Sequence, residues 1–315
     1  MTHHDEEGKI YCIVCKLREF LYQLHISNHN LIKCDRCHIV FRVPIISSED
    51  LKDLYAEKYP SYLDEKSLEK YRIDLFEEQL DKINSVVKDK GSLLDVGCGY
   101  GKFLELAAKG GWEVVGTELF PVACKYINEE LGLKAFYGEL REINFQDNSF
   151  DVVTLWHVLH HMYDPLEQIS EISRILKPGG VIFIRSPNFS FNYISYKISH
   201  LVENIIKKLF HKNLNLCSKL SVFHNSNYSP SGIYYLLKAT GFFQIVVKNG
   251  KPTRGDPYRA FPNIGNSAMS ILKRIAYVFF EALYTISNKR IILGPTLEIW
   301  GKKEHKMVKV ARIDL

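Results

Sequence analysis

Two groups of residues have the types and spacing to do chemistry. Leu93-Leu94-Asp95-Val96 is a short apolar run that enters a G-x-G-x-G turn, Gly97, Gly99 and Gly101, and the turn opens a helix predicted over residues 102–109. Glycines at this spacing let the backbone turn tightly and approach a ligand where a side chain would collide. A dinucleotide fingerprint would place its third glycine one residue later, where Lys102 stands. It would also keep an apolar residue at Asp95, whose carboxylate here suits a cationic ligand without phosphate. Glu118 lies twenty-one residues past Gly97, at the end of an apolar run from Trp112, where a carboxylate can accept two hydrogen bonds from ribose hydroxyls.

The second group is Cys12-x-x-Cys15 and Cys34-x-x-Cys37, with eighteen residues between the pairs. Two such knuckles close a tetrahedral thiolate site around Zn²⁺, and four protein ligands make a structural rather than a catalytic site. His25, His29 and His38 are alternatives for one thiolate. A redox pair would need one such motif at a helix start beside a sheet, not two in a short polar segment.

The elements that must hold these residues alternate. Strands are predicted at 93–96, 112–118, 135–140 and 150–155, with helical segments between them. Alternation with helices implies right-handed crossovers and a mostly parallel sheet, with ligand at the carboxyl ends of the strands. Gly97, Glu118, Glu139 and Trp156 all fall at such ends.

Residues 91–190 resemble the core of class I S-adenosylmethionine-dependent methyltransferases. The resemblance rests on LLDVGCGYGKFL, VVGTEL, DNSFDVVTLWHVLHHMYDP and ILKPGGVIFIRSPN, in that family's order and spacing. It implies an α/β, Rossmann-like fold with a seven-stranded, mostly parallel sheet. It further implies that Asp95, Gly97, Gly99 and Gly101 surround the methionine end of the cofactor, that Glu118 holds the ribose, and that Leu119, Glu139 and Leu140 flank or bond the adenine. Glu118 and Glu139 stand where Asp is more usual.

The resulting division is a zinc ribbon over 8–45, a helical linker or cofactor lid over 46–90, a methyltransferase domain over 91–303 and a tail over 304–315. The domain has its core at 91–190, an insertion at 189–227 and C-terminal helices and strands at 228–303. Ribbon strands are expected at 31–34 and 39–43, and Ser47 to Leu51 carries a helix N-cap signature. Tyr55, Tyr59, Tyr62 and Tyr71 crowd the linker, as packing residues or, as the resemblance implies for N-terminal helices that lie over the cofactor, with one of them as a cap. The last strands are expected at 243–248 and 297–301.

Methyl transfer from a sulfonium is a displacement governed by alignment and exclusion of water, and a base is needed only when the acceptor must lose a proton. His157, His161 and His224 are the candidate bases, with Trp156, His160 and Tyr228 nearby in sequence. His157 and His161 are i and i+4 and would share a face of a helical turn, which also makes a metal pair conceivable. Joined to a ribbon, such a core resembles bacterial and archaeal methyltransferases that modify glycans or nucleotide sugars. Its length leaves no room for the large C-terminal domain of sugar carbon-methylating members, so the expected acceptor is a hydroxyl of a sugar, glycan or lipid-linked metabolite. The alternatives are an RNA base methyltransferase that grips RNA through the ribbon, and a non-catalytic ribbon protein with a relic core.

The chain has 315 residues and a net charge of +5, which permits an anionic partner without requiring one. The N-terminal stretch is polar and acidic, unlike a signal peptide, and Cys98, Cys124 and Cys217 are scattered, so a reduced, cytoplasmic protein is expected. Residues 193–210 and 268–287 are rich in apolar and aromatic side chains but broken by Lys207, Lys208, Lys273 and Arg274. They read as amphipathic helices that pack on the sheet or on a second copy, with contact to the inner face of a membrane as the lesser reading.

Overall fold

The computed structural model describes residues 10–19, 21–26, 29–47, 49–53, 62–87, 89–210, 224–251 and 266–304. Its centre is a seven-stranded sheet. In chain order the strands are β4 (Ser92–Val96), β5 (Glu113–Glu118), β6 (Lys134–Tyr137), β7 (Phe150–Trp156), β8 (Leu176–Pro187), β10 (Phe242–Gly250) and β11 (Thr296–Lys303). They lie in the order β6-β5-β4-β7-β8-β11-β10. All neighbouring pairs from β6 to β8 are parallel, and β11 runs antiparallel to both its neighbours. The chain leaves β4 outward through β5 and β6, then returns to the other side of β4 as β7. The carboxyl ends of β4 and β7 are thus the topological switch point, where ligands of open α/β sheets bind.

Strand β4 is central because Leu93 and Leu94 are fully buried, with helices on both faces of the sheet. Helix α2 (Lys102–Lys109), opened by the glycine turn, has the bounds expected from the sequence and buries Phe103, Leu104 and Ala107. Proline at the first turn starts α3 (Pro121–Glu129), α4 (Pro165–Ile175) and α6 (Pro230–Ala239), with Asp164 and Ser229 capping the last two. The C-terminal half of α1 (Tyr62–Val86) packs Phe76, Leu80 and Ile83 against Phe103 and Trp112. Residues 54–61, with Tyr55 and Tyr59, and the side chains of Tyr62 and Tyr71 lie outside the described residues.

The N-terminal unit is a four-stranded antiparallel sheet of β1 (Leu21–Ile26), β2 (His29–Cys34), β3 (Val40–Arg42) and β9 (Ser226–Asn227). Two features depart from the sequence reading. Strand β1 pairs with β2 although its alternation is broken by polar residues, and β9 comes from the far end of the expected insertion, 226–227, to pair with β3. The ribbon therefore shares a core with the main sheet: Cys12, Ile13, Cys34, Cys37, Ile39 and Phe41 belong to one buried cluster with Leu94, Leu155, Ile184 and Tyr228. At the N-cap signature, Ser47 Oγ accepts from the Asp50 N–H at 3.0 Å.

Helices α5 (Phe189–Phe210) and α7 (Asn266–Ile286) occupy the two segments with interrupted apolar character. On α5, Ile198, Leu201, Ile205 and Leu209 are exposed at roughly helical spacing, as are Ile275, Val278 and Phe279 on α7. No helix among the described residues is long and apolar enough to cross a membrane.

Candidate active site and metal centres

The glycine turn is left-handed at all three glycines, with φ of 69° at Gly97, 55° at Gly99 and 79° at Gly101. At Gly97 a Cβ would also meet Val158 Cγ2 at 2.4 Å. This turn and the segment after β7 are thus packed against each other through Val158, the neighbour in sequence of His157.

Asp95 is 1% exposed and sits opposite Thr154 in the β4/β7 register, whose Oγ1 donates to its carboxylate at 2.6 Å. Burial raises its pKa to about 8, the Thr154 hydrogen bond opposes that rise, and the negative charge of Glu118 adds to it. Glu118 ends β5 at 9% exposure, and its carboxylate accepts from the backbone N–H groups of Gly99 at 2.8 Å, Leu119 at 2.7 Å and Phe120 at 3.2 Å. The ribose residue named from the sequence is thus tied to the glycine turn. The negative charge of Glu118 disfavours ionisation of the buried Asp95, and a positive ligand would relieve it. That observation, with the left-handed glycine cradle, fits S-adenosylmethionine, whose sulfonium carries the transferable methyl group. Asp95, the glycines and Glu118 are the residues that would hold it.

The remaining cofactor candidates are placed less uniformly. Glu139 caps the 3-10 turn Leu140–Glu142 and accepts from Gln168 Nε2 at 3.2 Å, with the Arg141 Nε at 3.3 Å. Leu140 is buried in the main core, so only its backbone remains for a ligand. Trp156 ends β7 with its ring among Phe76, Phe103 and Phe183, at centroid distances of 4.6, 4.9 and 5.0 Å, and its Nε1 is buried without a hydrogen-bond partner.

The histidines divide. The expected i, i+4 face of His157 and His161 does not form, because His157 is left-handed at φ 58° and only Leu159–His161 is helical, as a 3-10 turn. His157 donates its N–H to the Arg185 carbonyl at 3.0 Å, and its Nε2 is buried without a partner. Burial, then the Arg185 charge, holds it well below the ordinary histidine value. His160, His161 and His224 instead come together, with one ring nitrogen of each within 4.8 Å of those of the other two. Burial lowers His224 to about 3. Tyr228 is fully buried in the shared core, and its ring is a packing element there.

At the ribbon, Sγ of Cys12 and Cys37 are 3.4 Å apart, Sγ of Cys15 and Cys34 are 3.6 Å apart, and all four lie within 4.8 Å. A tetrahedron with Zn–S bonds of about 2.3 Å has edges of about 3.8 Å, so the four sulfurs fit Zn²⁺. His38 is exposed, and the side chains of His25 and His29 lie outside the described residues.

Sequence reasoning missed Arg185 and Glu298. Both are buried and face each other in the β8/β11 register, with Arg185 Nη1 donating to Glu298 Oε1 at 2.7 Å and Gln79 Nε2 donating to the same oxygen at 3.3 Å. Arg185 follows an unbroken apolar run, and its interruption of that run is the signal available from the sequence.

Comparison with known proteins agrees with this geometry. Residues 94–184 match the family described as a methyltransferase domain. The ubiquinone biosynthesis O-methyltransferase of Actinobacillus pleuropneumoniae is 39% identical over 107 residues, 30% of this chain and 45% of that protein. The enzyme of the same name from Coxiella burnetii is 28% identical over 179 residues, 54% of this chain and 75% of that protein. The chain thus spans less than half of the first relative and three quarters of the second. A chain of the complex between the Haloferax volcanii Trm112 methyltransferase activator and the putative methyltransferase shares the fold, with a TM-score of 0.51 and 16% identity over 82% of this chain and 99% of that one. Residues 94–184 form a methyltransferase domain on a Rossmann-like, mostly parallel seven-stranded sheet, and that domain and fold support S-adenosylmethionine as its cofactor.

Proposed function

We propose that the full chain transfers a methyl group from S-adenosylmethionine to a hydroxyl of a small molecule, a sugar, glycan or lipid-linked metabolite. The observation that carries this reading is the pair of buried carboxylates, Asp95 and Glu118, joined by a left-handed glycine turn at the switch point of the sheet. Asp95 faces positive charge on the cofactor. Glu118 takes the ribose hydroxyls, since a carboxylate accepts at both oxygens, and Leu119, Glu139, Leu140 and Trp156 border the rest.

An oxygen acceptor is supported by the relatives named O-methyltransferases. It is supported chemically by the group of His160, His161 and His224, two of them in the segment that packs on the glycine turn through Val158, since a hydroxyl must lose a proton as it is methylated. A lipid-linked acceptor, met at the surface of a membrane, suits the exposed apolar residues of α5 and α7 and the exposed Lys207 and Lys208 at the end of α5. Under this reading the four-cysteine ribbon is structural, since it shares its core with the sheet and fixes the segment that bears His224.

The test is transfer of radiolabelled methyl from S-adenosylmethionine to a panel of nucleotide sugars, polyprenyl-linked sugars, quinols and total RNA. Label in a hydroxyl-bearing small molecule or lipid, lost in Glu118→Ala, is the expected result. Label confined to RNA would overturn the reading of the acceptor.

A further inference from the structure

The segment after β7 and the segment before α6 are far apart in sequence and are bound to one another by Asn225. Its N–H donates to the His160 carbonyl at 2.8 Å, and its Nδ2 donates to the His161 carbonyl at 3.0 Å and the Ile46 carbonyl at 2.9 Å. Its Oδ1 accepts from the Ile46 N–H at 2.9 Å, and its carbonyl accepts from Arg42 N–H at 3.0 Å. One asparagine thus locks the 3-10 turn, the start of β9 and the exit of the ribbon together. Three imidazoles result in one place, with ring centroids 4.1 Å apart for His160 and His161, 4.1 Å for His160 and His224, and 5.4 Å for His161 and His224.

The chemistry of these rings is that of ligands. His160 is 4% exposed and its Nδ1 is buried without a hydrogen-bond partner, a cost that packing alone does not explain. His224 Nδ1 faces Asn227 Oδ1 at 3.4 Å, an arrangement in which the amide oxygen accepts the Nδ1 proton and leaves Nε2 for a metal. Ring nitrogens on a tetrahedral Zn²⁺ stand about 3.3 Å apart, so nitrogens already within 4.8 Å need only small rotations to close on an ion. His161 and His224 are partly exposed and leave a way in.

We propose that His160, His161 and His224 hold a divalent transition-metal ion in a three-nitrogen site with an open coordination position. This second centre differs in kind from the ribbon. Imidazoles suit Zn²⁺, Co²⁺ and Ni²⁺, and three protein ligands leave one position for an oxygen. Resting on the methyl-transfer reading, that oxygen is water or the acceptor hydroxyl, whose proton is lost more readily on the metal. The metal site itself stands independently of that reading.

The experiment uses the full chain, titrated with Co²⁺ and with Zn²⁺ and freed of excess metal by gel filtration. Metal is counted by mass spectrometry and Co²⁺ is followed by absorption, with S-adenosylhomocysteine binding measured by calorimetry on the same samples. The expected result is two metals per chain: one with the sulfur-to-cobalt charge-transfer bands of a thiolate site, and one with ligand-field bands only. In His161→Gln/His224→Gln the second is lost while circular dichroism is unchanged. One metal per wild-type chain at saturation overturns the proposal whether or not the variant folds, as does a second metal that persists in the variant. Two metals without S-adenosylhomocysteine binding would keep the site and overturn its role toward an acceptor.

Discussion

Asp95 should release a proton when the cofactor binds. Unliganded, its carboxyl is raised by burial to about 8, so at pH 7 it is about 90% protonated. A unit positive charge within about 5 Å, at an effective dielectric of about 20, contributes about 3 kcal/mol, or about 2.4 pKa units, in favour of the carboxylate. The liganded value then falls to roughly 5.6, and binding at pH 7 releases about 0.9 proton, against about 0.2 at pH 5. The assay is calorimetry of S-adenosylmethionine in buffers of unlike ionisation enthalpy, for wild type and Asp95→Asn. The slope of observed enthalpy against buffer ionisation enthalpy gives the proton count. The sign for stability follows from the same shift: a folded pKa above the unfolded value of about 3.9 favours the folded state at acid pH. This contribution fades as pH rises toward 8, so unliganded wild type should lose more stability than Asp95→Asn between pH 5 and 8. No buffer dependence at pH 7, or the same proton release in Asp95→Asn, would refute this account of the buried carboxylate.

Further predictions concern the scaffold. Gly97→Ala forces a Cβ into a left-handed position and to 2.4 Å from Val158 Cγ2, and should cost about 1–3 kcal/mol in backbone strain alone. Denaturant unfolding should show Val158→Ala recovering part but not all of the loss, and full recovery would mean that φ at Gly97 is unstrained. Arg185→Met leaves Glu298 buried without its guanidinium and should cost about 3–5 kcal/mol, with Arg185→Met/Glu298→Leu recovering most of it. A loss below about 1 kcal/mol would show that Gln79 suffices with Lys82 and Lys248, whose Nζ atoms lie 3.9 and 3.4 Å from Glu298 Oε2. Cys34→Ser should remove the ribbon zinc and destabilise by more than about 4 kcal/mol, because the cysteines share the main core. Retained zinc with unchanged melting would contradict a structural role.

The sheet was legible in the sequence where local rules and tertiary demands agree. Leu93 to Val96 is apolar on both sides because β4 is central, and the left-handed positions of the turn require the glycines that announce it. The helix that the turn opens, α2, has the bounds read from the sequence. Strand β1 was not legible, because Tyr22, Gln23 and His25 give it little apolar alternation and β2 supplies its order through pairing. Strand β9 is two residues long and owes its existence to β3, nearly two hundred residues away, so no local pattern marks it. The histidine group illustrates the same limit. Helical spacing paired His157 with His161, but the left-handed turn at His157 removes it, and the third imidazole arrives from the far end of the insertion through Asn225.

The central claim is that Asp95, Glu118 and the glycine turn make a cofactor site, and calorimetry of S-adenosylmethionine and S-adenosylhomocysteine on zinc-loaded protein tests it most directly. Dissociation constants in the micromolar range, about −8 kcal/mol, abolished in Gly99→Arg and in Glu118→Ala with folding intact, are predicted. Well-folded, zinc-replete protein that binds neither compound would contradict it.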